Sequence, residues 1–234
     1  AGVLYEDAHC MVGVQMQVRP PDARLMVHLR NKTGGQLRSV KLRVPPLPAV
    51  ATSLVEEMSA VIEAGDTAKV QVAAACMAPF ADPPALQLSF LSAGGTTGHA
   101  YALKLPVFAT TFLTPVAMPA ASFTERWAAL AGGDREATAV LSKAGATVED
   151  ATAQLTAVKI GVVGSTASAV FGAASFRTKT PGKTGEPISV GVLARVDVAP
   201  SGAAYRLIVR AQSGGVAMGV KNALAPALGV AAAT

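Results

Sequence analysis

Between residues 9 and 107 apolar side chains recur at every second position in seven short runs. They are "CMVGVQMQV", "RLMVHLRN", "LRSVKLRV", "ATSLVEEMSAVI", "AKVQVAAAC", "ALQLSFL" and "HAYALKLPV". A two-residue period buries one face of a strand and leaves the other wet, and it cannot serve a helix. The runs are separated by "RPPD", "KTGG", "PPLP", "AGD", "ADPP" and "SAGGTTG", all turn-forming. Seven strands at this spacing predict an antiparallel β-sandwich. Pro45, Pro46, Pro83 and Pro84 fall where strands end, so no ladder donor is lost.

The pattern breaks at "FATTFLTPVAMPAAS" (108–122), where two prolines interrupt the alternation. Ser122 and Glu125 then have the S-x-x-E spacing of a capping box, which predicts a helix through "FTERWAAL" that stops at Gly132-Gly133. Asp134 can cap a second helix, "REATAVLSKAG", and a third begins near Thr147 with Asp150 in its first turn. "AVKIGVV", "AASFRTKT", "ISVGVLARVDV" and "AYRLIVRAQ" read as strands. "GGVAMGVKNALAPALGV" reads as a terminal helix that Pro226 interrupts. Strands followed by a helix–strand mixture predict an all-β subdomain over 1–110 and an α+β subdomain over 111–234. Across 234 residues no internal repeat is visible.

Charge separates the halves. Residues 1–110 carry nine Lys+Arg against eight Asp+Glu, and residues 111–234 carry eleven against seven. The basic second half favours anionic partners, but no Lys/Arg block is interleaved with aromatics, so nucleic acid is not among them. No apolar run is long enough for a transmembrane helix. The opening "AGVLYEDAHC" lacks a signal-peptide pattern and reads as a piece of a longer protein. Cys10 and Cys76 lie in apolar alternating runs and read as buried thiols of a reducing compartment, with a disulfide between them as the other reading. "NKT" (31–33) matches a glycosylation sequon, which has no meaning there.

Signatures of catalysis are missing. His9, His28 and His99 do not have metal-ligand spacing. In "PGKTGEP" the Gly that a phosphate loop needs is Arg177. "GVVGSTASAVFG" lacks the dinucleotide spacing, and no G-x-S-x-G is present. Neither a catalytic residue, a metal nor a cofactor is expected.

Two features remain. In "VGVLARVDVAPSGAAYRLIVRAQ" alternation puts Leu193, Arg195 and Asp197 on one strand face. A hairpin centred between Pro200 and Ser201 sets Arg195 opposite Arg206, with Arg210 on the same face. Like charges directly opposed are unfavourable, so folding alone does not ask for them, whereas an anion site does. The same hairpin also reads as a solvated face in another register, with Asp197 neutralising its neighbours. The second feature is Trp127, the only tryptophan, in a chain 5% aromatic. Phe123, Trp127 and Leu130 share one helix face, which suits a core; a half-exposed ring with a ligand is the other reading.

With these residues in place, the chain resembles the appendage, or ear, of alpha-adaptin, a large subunit of the plasma-membrane clathrin adaptor (adaptor protein complex 2). "GVLYED", "LRNKTGGQ", "ALKLPV", "FTERW", "RTKT", "LARVD" and "YRLIVR" carry the likeness in order along the chain. The resemblance implies an immunoglobulin-like sandwich joined to a mixed α/β platform with an antiparallel sheet. It implies a non-catalytic module without cofactors, at cytoplasmic clathrin-coated pits and peripheral to the plasma membrane. A hinge outside this sequence would tether it to the heterotetrameric adaptor, so its membrane association is indirect. Its partners would be disordered endocytic accessory proteins (epsin-, amphiphysin- and auxilin-like) that carry Asp-Pro-Phe/Trp or Phe-x-Asp-x-Phe motifs. By motif, the platform site falls on Trp127, Phe123, Thr124, Arg195, Asp197, Arg206 and Arg210. Thr124 stands where the family has a second aromatic. A second peptide site on the sandwich falls on Gln36 and Leu37, where the family has a phenylalanine. In this picture Phe123 and Leu130 pack inward, Trp127 lies across the rim, and the Ser122–Glu125 box sets where the indole points. The appendages of beta-adaptin or coatomer gamma are alternatives within the coat proteins, and an adhesion sandwich or an enzyme outside them.

Overall fold

The computed structural model describes residues 2–182 and 186–231. The Lys-Thr of the "PGKTGEP" stretch (183–184) lies outside the described residues. The chain divides into two compact units, one of residues 1–77 and 83–107, the other of residues 78–82 and 108–234.

The first unit is a β-sandwich of nine strands: β1 (Gly2–Glu6), β2 (Cys10–Arg19), β3 (Asp22–Asn31), β4 (Leu37–Arg43), β5 (Val50–Leu54), β6 (Val61–Ile62), β7 (Thr67–Cys76), β8 (Ala85–Ser92) and β9 (Thr97–Lys104). One sheet has the order β1-β2-β3-β7-β5 and the other β6-β4-β8-β9. Each of the seven predicted runs supplies strand, but "ATSLVEEMSAVI" breaks into two, and "GVLYE" adds an edge strand the sequence pattern did not show. Leu25, Val27, Leu29, Leu86, Leu88 and Phe90 are among the buried side chains of the two inner faces. Cys10 and Cys76 are both fully buried and form no disulfide. Burial, followed by the nearby Asp7 charge, pushes the Cys10 thiol up to about 11. Asn31 of the sequon is also fully buried. Its amide donates to the Gly35 and Glu63 carbonyls (2.7 and 2.9 Å), and its oxygen accepts from the Thr33 amide (2.9 Å). This asparagine shapes a turn and has no room for a glycan.

Asp7 ties the two sheets together at one end. The amides of His9 and Cys10 donate to one carboxylate oxygen at 2.8 Å each. The hydroxyls of Tyr5 (3.1 Å) and Tyr101 (2.8 Å) donate to the other. Burial alone would raise its pKa, but these four donors outweigh burial and hold the carboxyl down to about 2, against an ordinary 3.8.

The second unit is a seven-stranded antiparallel sheet with helices. Its elements are β10 (Leu113–Pro115), α1 (Ala120–Ala129), β11 (Glu136–Ser142), α2 (Val148–Ala157), β12 (Gly161–Ser165), β13 (Ala169–Pro181), β14 (Pro187–Val198), β15 (Ala204–Ala211), α3 (Gly214–Leu228) and β16 (Val230–Ala231). The order is β10-β13-β14-β15-β11-β16, with β12 pairing the first half of β13. One face carries α2 and α3: a side chain at Gly172 would collide with Ile160 and meet Leu155 of α2, and α3 packs against β15 and β11. Val216, Ala217, Val220, Leu224 and Leu228 of α3 are fully buried. Gly219 lets that helix lie directly on the 78–82 segment, since a Cβ there would sit 2.2 Å from the Phe80 carbonyl oxygen.

Three local expectations need correction. The segment read as a second helix is β11: Ala137 and Leu141 are buried while Thr138 and Val140 are exposed, a period of two that the flanking Ala residues disguised as helical. Ser122 does not cap α1, which starts two residues earlier behind Pro119; no side chain caps it, and Ser122 lies in its first turn. Pro226 does not interrupt α3, because it sits in the last turn, where the helix ends two residues later. The third predicted helix is α2, with the Thr147 hydroxyl accepting from the Asp150 amide (3.1 Å) as its cap.

The phenol of Tyr205, fully buried in β15, fixes α2 to the sheet. Its oxygen accepts the Thr147 amide (2.9 Å) and donates to the Thr147 carbonyl (3.0 Å). Tyr205→Phe should therefore cost about 1–2 kcal/mol in urea unfolding, with an unchanged circular-dichroism spectrum. Asp7→Asn should cost about 2 kcal/mol at pH 7, since a charged acceptor is lost. The folded pKa of Asp7 lies below its unfolded value, so its stabilisation is complete above about pH 4 and is lost as pH falls toward 2. Wild type should lose stability faster than the Asn variant over that window in acid-unfolding curves.

Candidate functional site

On the sheet face opposite α2 and α3, α1 covers only one end. Phe123, 6% exposed, packs there with Ala173 and Leu193, flanked by Val116, Met118, Trp127, Leu130, Val163 and Phe171. Phe123 meets Phe171 edge-on (5.6 Å between centroids) and stacks with Trp127 (5.5 Å). The expected split along α1 is present in part. Phe123 is buried and the indole is half-buried, but Leu130 is also only half-buried. Thr124 is exposed and donates its hydroxyl back to the Ala120 carbonyl (3.0 Å), so it lines no apolar slot.

The hairpin of β14 and β15 has a different register from the one expected. Arg195 faces Ile208, Asp197 faces Arg206 and Leu193 faces Arg210. The cause is the turn: Gly202, in the left-handed region at φ +64°, donates its amide to the Ala199 carbonyl (2.8 Å), and the loop runs on to residue 203. A slip of two positions keeps every side chain on its predicted face but replaces the opposed arginines by an Asp–Arg pair. Arg195 donates to Asp197 (2.7 Å) and lies over the Phe171 ring (5.5 Å). Asp197 is therefore paired with Arg195 on its own strand and stands opposite Arg206 in the register without an ion pair to it.

Arg210 is held from three sides. Its Nε donates to Glu136 (2.6 Å), and its Nη1 to the carbonyl of Trp127 (2.6 Å). Its guanidinium carbon lies 4.2 Å from the indole centroid. The Trp127 carbonyl belongs to the last turn of α1, where carbonyls have no helical partner and a cation is welcome. Arg206 differs from both. It is exposed, and among the described residues it has no ion-pair partner. Val140 stands opposite it on β11, 55% exposed.

The face thus joins a half-exposed indole, an exposed valine and a free guanidinium. Such a surface can hold a short segment that carries an aromatic ring beside a carboxylate. Sequence reasoning missed Phe171, Glu136 and Val140. Glu136 and Val140 were hidden by the helical misreading of β11. Phe171 comes opposite Arg195 only through the β13–β14 register, which no turn motif reveals.

On the sandwich, Leu37 is fully buried, so it cannot offer its side chain to a peptide as the family's phenylalanine is expected to do. Gln36 is engaged with Glu63 (2.7 Å) and Arg38 (3.0 Å). Among the described residues no three His, Cys, Asp or Glu side chains are grouped to hold a metal.

The family described as "Alpha adaptin AP2, C-terminal domain" matches residues 111–228. The AP-2 complex subunit alpha-2 of Dictyostelium discoideum is 24% identical over 131 residues, which cover 56% of this chain and 13% of that protein. The AP-2 complex subunit alpha-2 of Arabidopsis thaliana is 26% identical over 132 residues, with the same coverage. The chain therefore matches about an eighth of the length of these relatives. Among solved structures, the GAE domain of yeast GGA1 overlaps 45% of this chain and 98% of its own, at 14% identity and a TM-score of 0.39. With its match spanning half the chain, this protein belongs to the alpha-adaptin C-terminal domain family, the non-catalytic appendage modules of clathrin adaptors.

Proposed function

We propose that the open sheet face beside α1 recruits endocytic accessory proteins through short Asp-Pro-Phe/Trp and Phe-x-Asp-x-Phe motifs in their disordered tails. The observation that carries this reading is the placement of Trp127 and the unpaired Arg206 on one face that α1 leaves open. The indole and Val140 supply apolar surface for the motif's ring, and Arg206 supplies the counter-charge for its Asp. Arg195 and Arg210 are already engaged by Asp197 and Glu136, so they shape the site more than they charge it. The module acts in the cytoplasm at plasma-membrane coated pits, as part of a heterotetrameric adaptor that other subunits complete. Each contact is small and weak; repeated motifs against clustered adaptors raise apparent affinity by roughly 100- to 10,000-fold.

An Asp-Pro-Phe peptide titrated calorimetrically tests this. Trp127→Ala should weaken binding by about thirtyfold, the cost of a central aromatic hot spot. Arg206→Ala should weaken it by about tenfold, as the loss of a charge-assisted hydrogen bond does. Arg206→Ala should melt as wild type does; Trp127→Ala should melt lower, because it loses the Phe123 and Arg210 contacts, while keeping the wild-type circular-dichroism spectrum. Equal affinity in all three proteins would overturn the assignment. Thr124→Phe lies one helical turn from Trp127 and should strengthen binding several-fold; no gain would remove Thr124 from the site.

A further inference from the structure

The charge balance of the sandwich unit, close to neutral, hides a segregation. The strands β4, β8 and β9 contain no Asp or Glu at all, yet they carry Arg38, Lys41, Arg43 and Lys104. In the register, Arg43, Gln87 and Ala102 lie side by side across the three strands, and Lys41, Ser89 and Ala100 form the next row. Small residues thus floor a trough beside a basic wall. A hollow of about 460 Å³ lies there, and a second of about 450 Å³ adjoins it, sharing Arg43 and Gln87. The second hollow runs past Pro45 and Pro46 to Thr52 and Leu54 of β5. No carboxylate lines either one. Among the described residues Lys41, Arg43 and Lys104 have no ion-pair partner.

The backbone beside the second hollow is also available. β5 is the edge strand of its sheet. Met77 donates to Ala49 and Val55 donates to Gln71, so the odd-numbered residues of β5 bond to β7. Thr52 and Leu54 therefore turn their N–H and C=O groups outward, beside the hollow. An edge that presents unpaired groups is a template for an added strand.

We propose that this trough is a docking site for an extended, acidic segment of a partner protein, with β5 supplying main-chain hydrogen bonds and Lys41, Arg43 and Lys104 the charge. It is independent of the platform reading and lies away from the buried Leu37. A concave trough without protruding apolar side chains suits a peptide better than a lipid surface.

The test is an NMR titration of the whole chain with the synthetic peptide Glu-Thr-Glu-Val-Glu-Thr-Glu-Val. Amide shifts should concentrate at 41–43, 52–54, 87 and 100–102. The double variant Lys41→Glu/Arg43→Glu should weaken binding at least tenfold, and the peptide with Lys in place of Glu should not bind. Arg206→Glu, on the other unit, should leave these shifts unchanged, so failure here and failure of the platform reading are separable. Absent shifts, shifts elsewhere, or binding that survives the double charge reversal would overturn the proposal. So would sedimentation with phosphatidylserine vesicles without any peptide response, which would make the trough a membrane contact.

Discussion

The guanidinium of Arg210 neutralises Glu136, satisfies a carbonyl at the end of α1 and stacks on the indole of that same residue. Its side chain is only 15% exposed, which strengthens each interaction over its solvent-facing value, and the cation–π contact alone is worth about 0.5–2 kcal/mol. α1 is a ten-residue helix with one buried residue and no side-chain N-cap, too short to hold a position by itself. Phe123 anchors its first half in the Ala173–Leu193 cluster, and Arg210 anchors its second half. The half-exposed pose of Trp127 follows from those two fixings.

The rest of the face depends on the hairpin register. Asp197 opposite Arg206 removes the repulsion that two opposed arginines would carry, so the sheet forms without needing a ligand to relieve it. The three arginines then differ in kind despite sharing one face. Two are engaged by carboxylates and aromatic rings. The third is left to solvent, where its charge is available to a partner at little desolvation cost until binding.

Legibility in the sequence followed the range of the forces involved. The sandwich strands were readable because alternation is local and each inner face is buried against the opposite sheet. The facing of Arg195, Asp197, Arg206 and Arg210 was readable too, because alternation sets the face whichever register is chosen. The partners across strands were not readable. They depend on a five-residue loop whose Gly202 adopts a left-handed conformation. β11 was misread because "REATAV" is rich in helix formers, and only pairing with β15 makes it a strand. The resemblance supplied the candidate site residues, and the geometry then distinguished among them. Leu37 is core, Thr124 bonds to its own helix, and Phe171 and Glu136 are part of the arrangement.

Because Trp127 is the only tryptophan, its fluorescence reports on the site without a label. The central claim is that the Arg210 clamp holds this indole half-exposed on a ligand-ready face. Acrylamide quenching of wild type and Glu136→Gln, each with and without an Asp-Pro-Phe peptide, tests it most directly. The account predicts intermediate quenching in wild type, clear protection when peptide is added, and greater quenching with weaker protection in the Gln variant. An indole shielded in both proteins, or one whose quenching does not change with peptide, would contradict it.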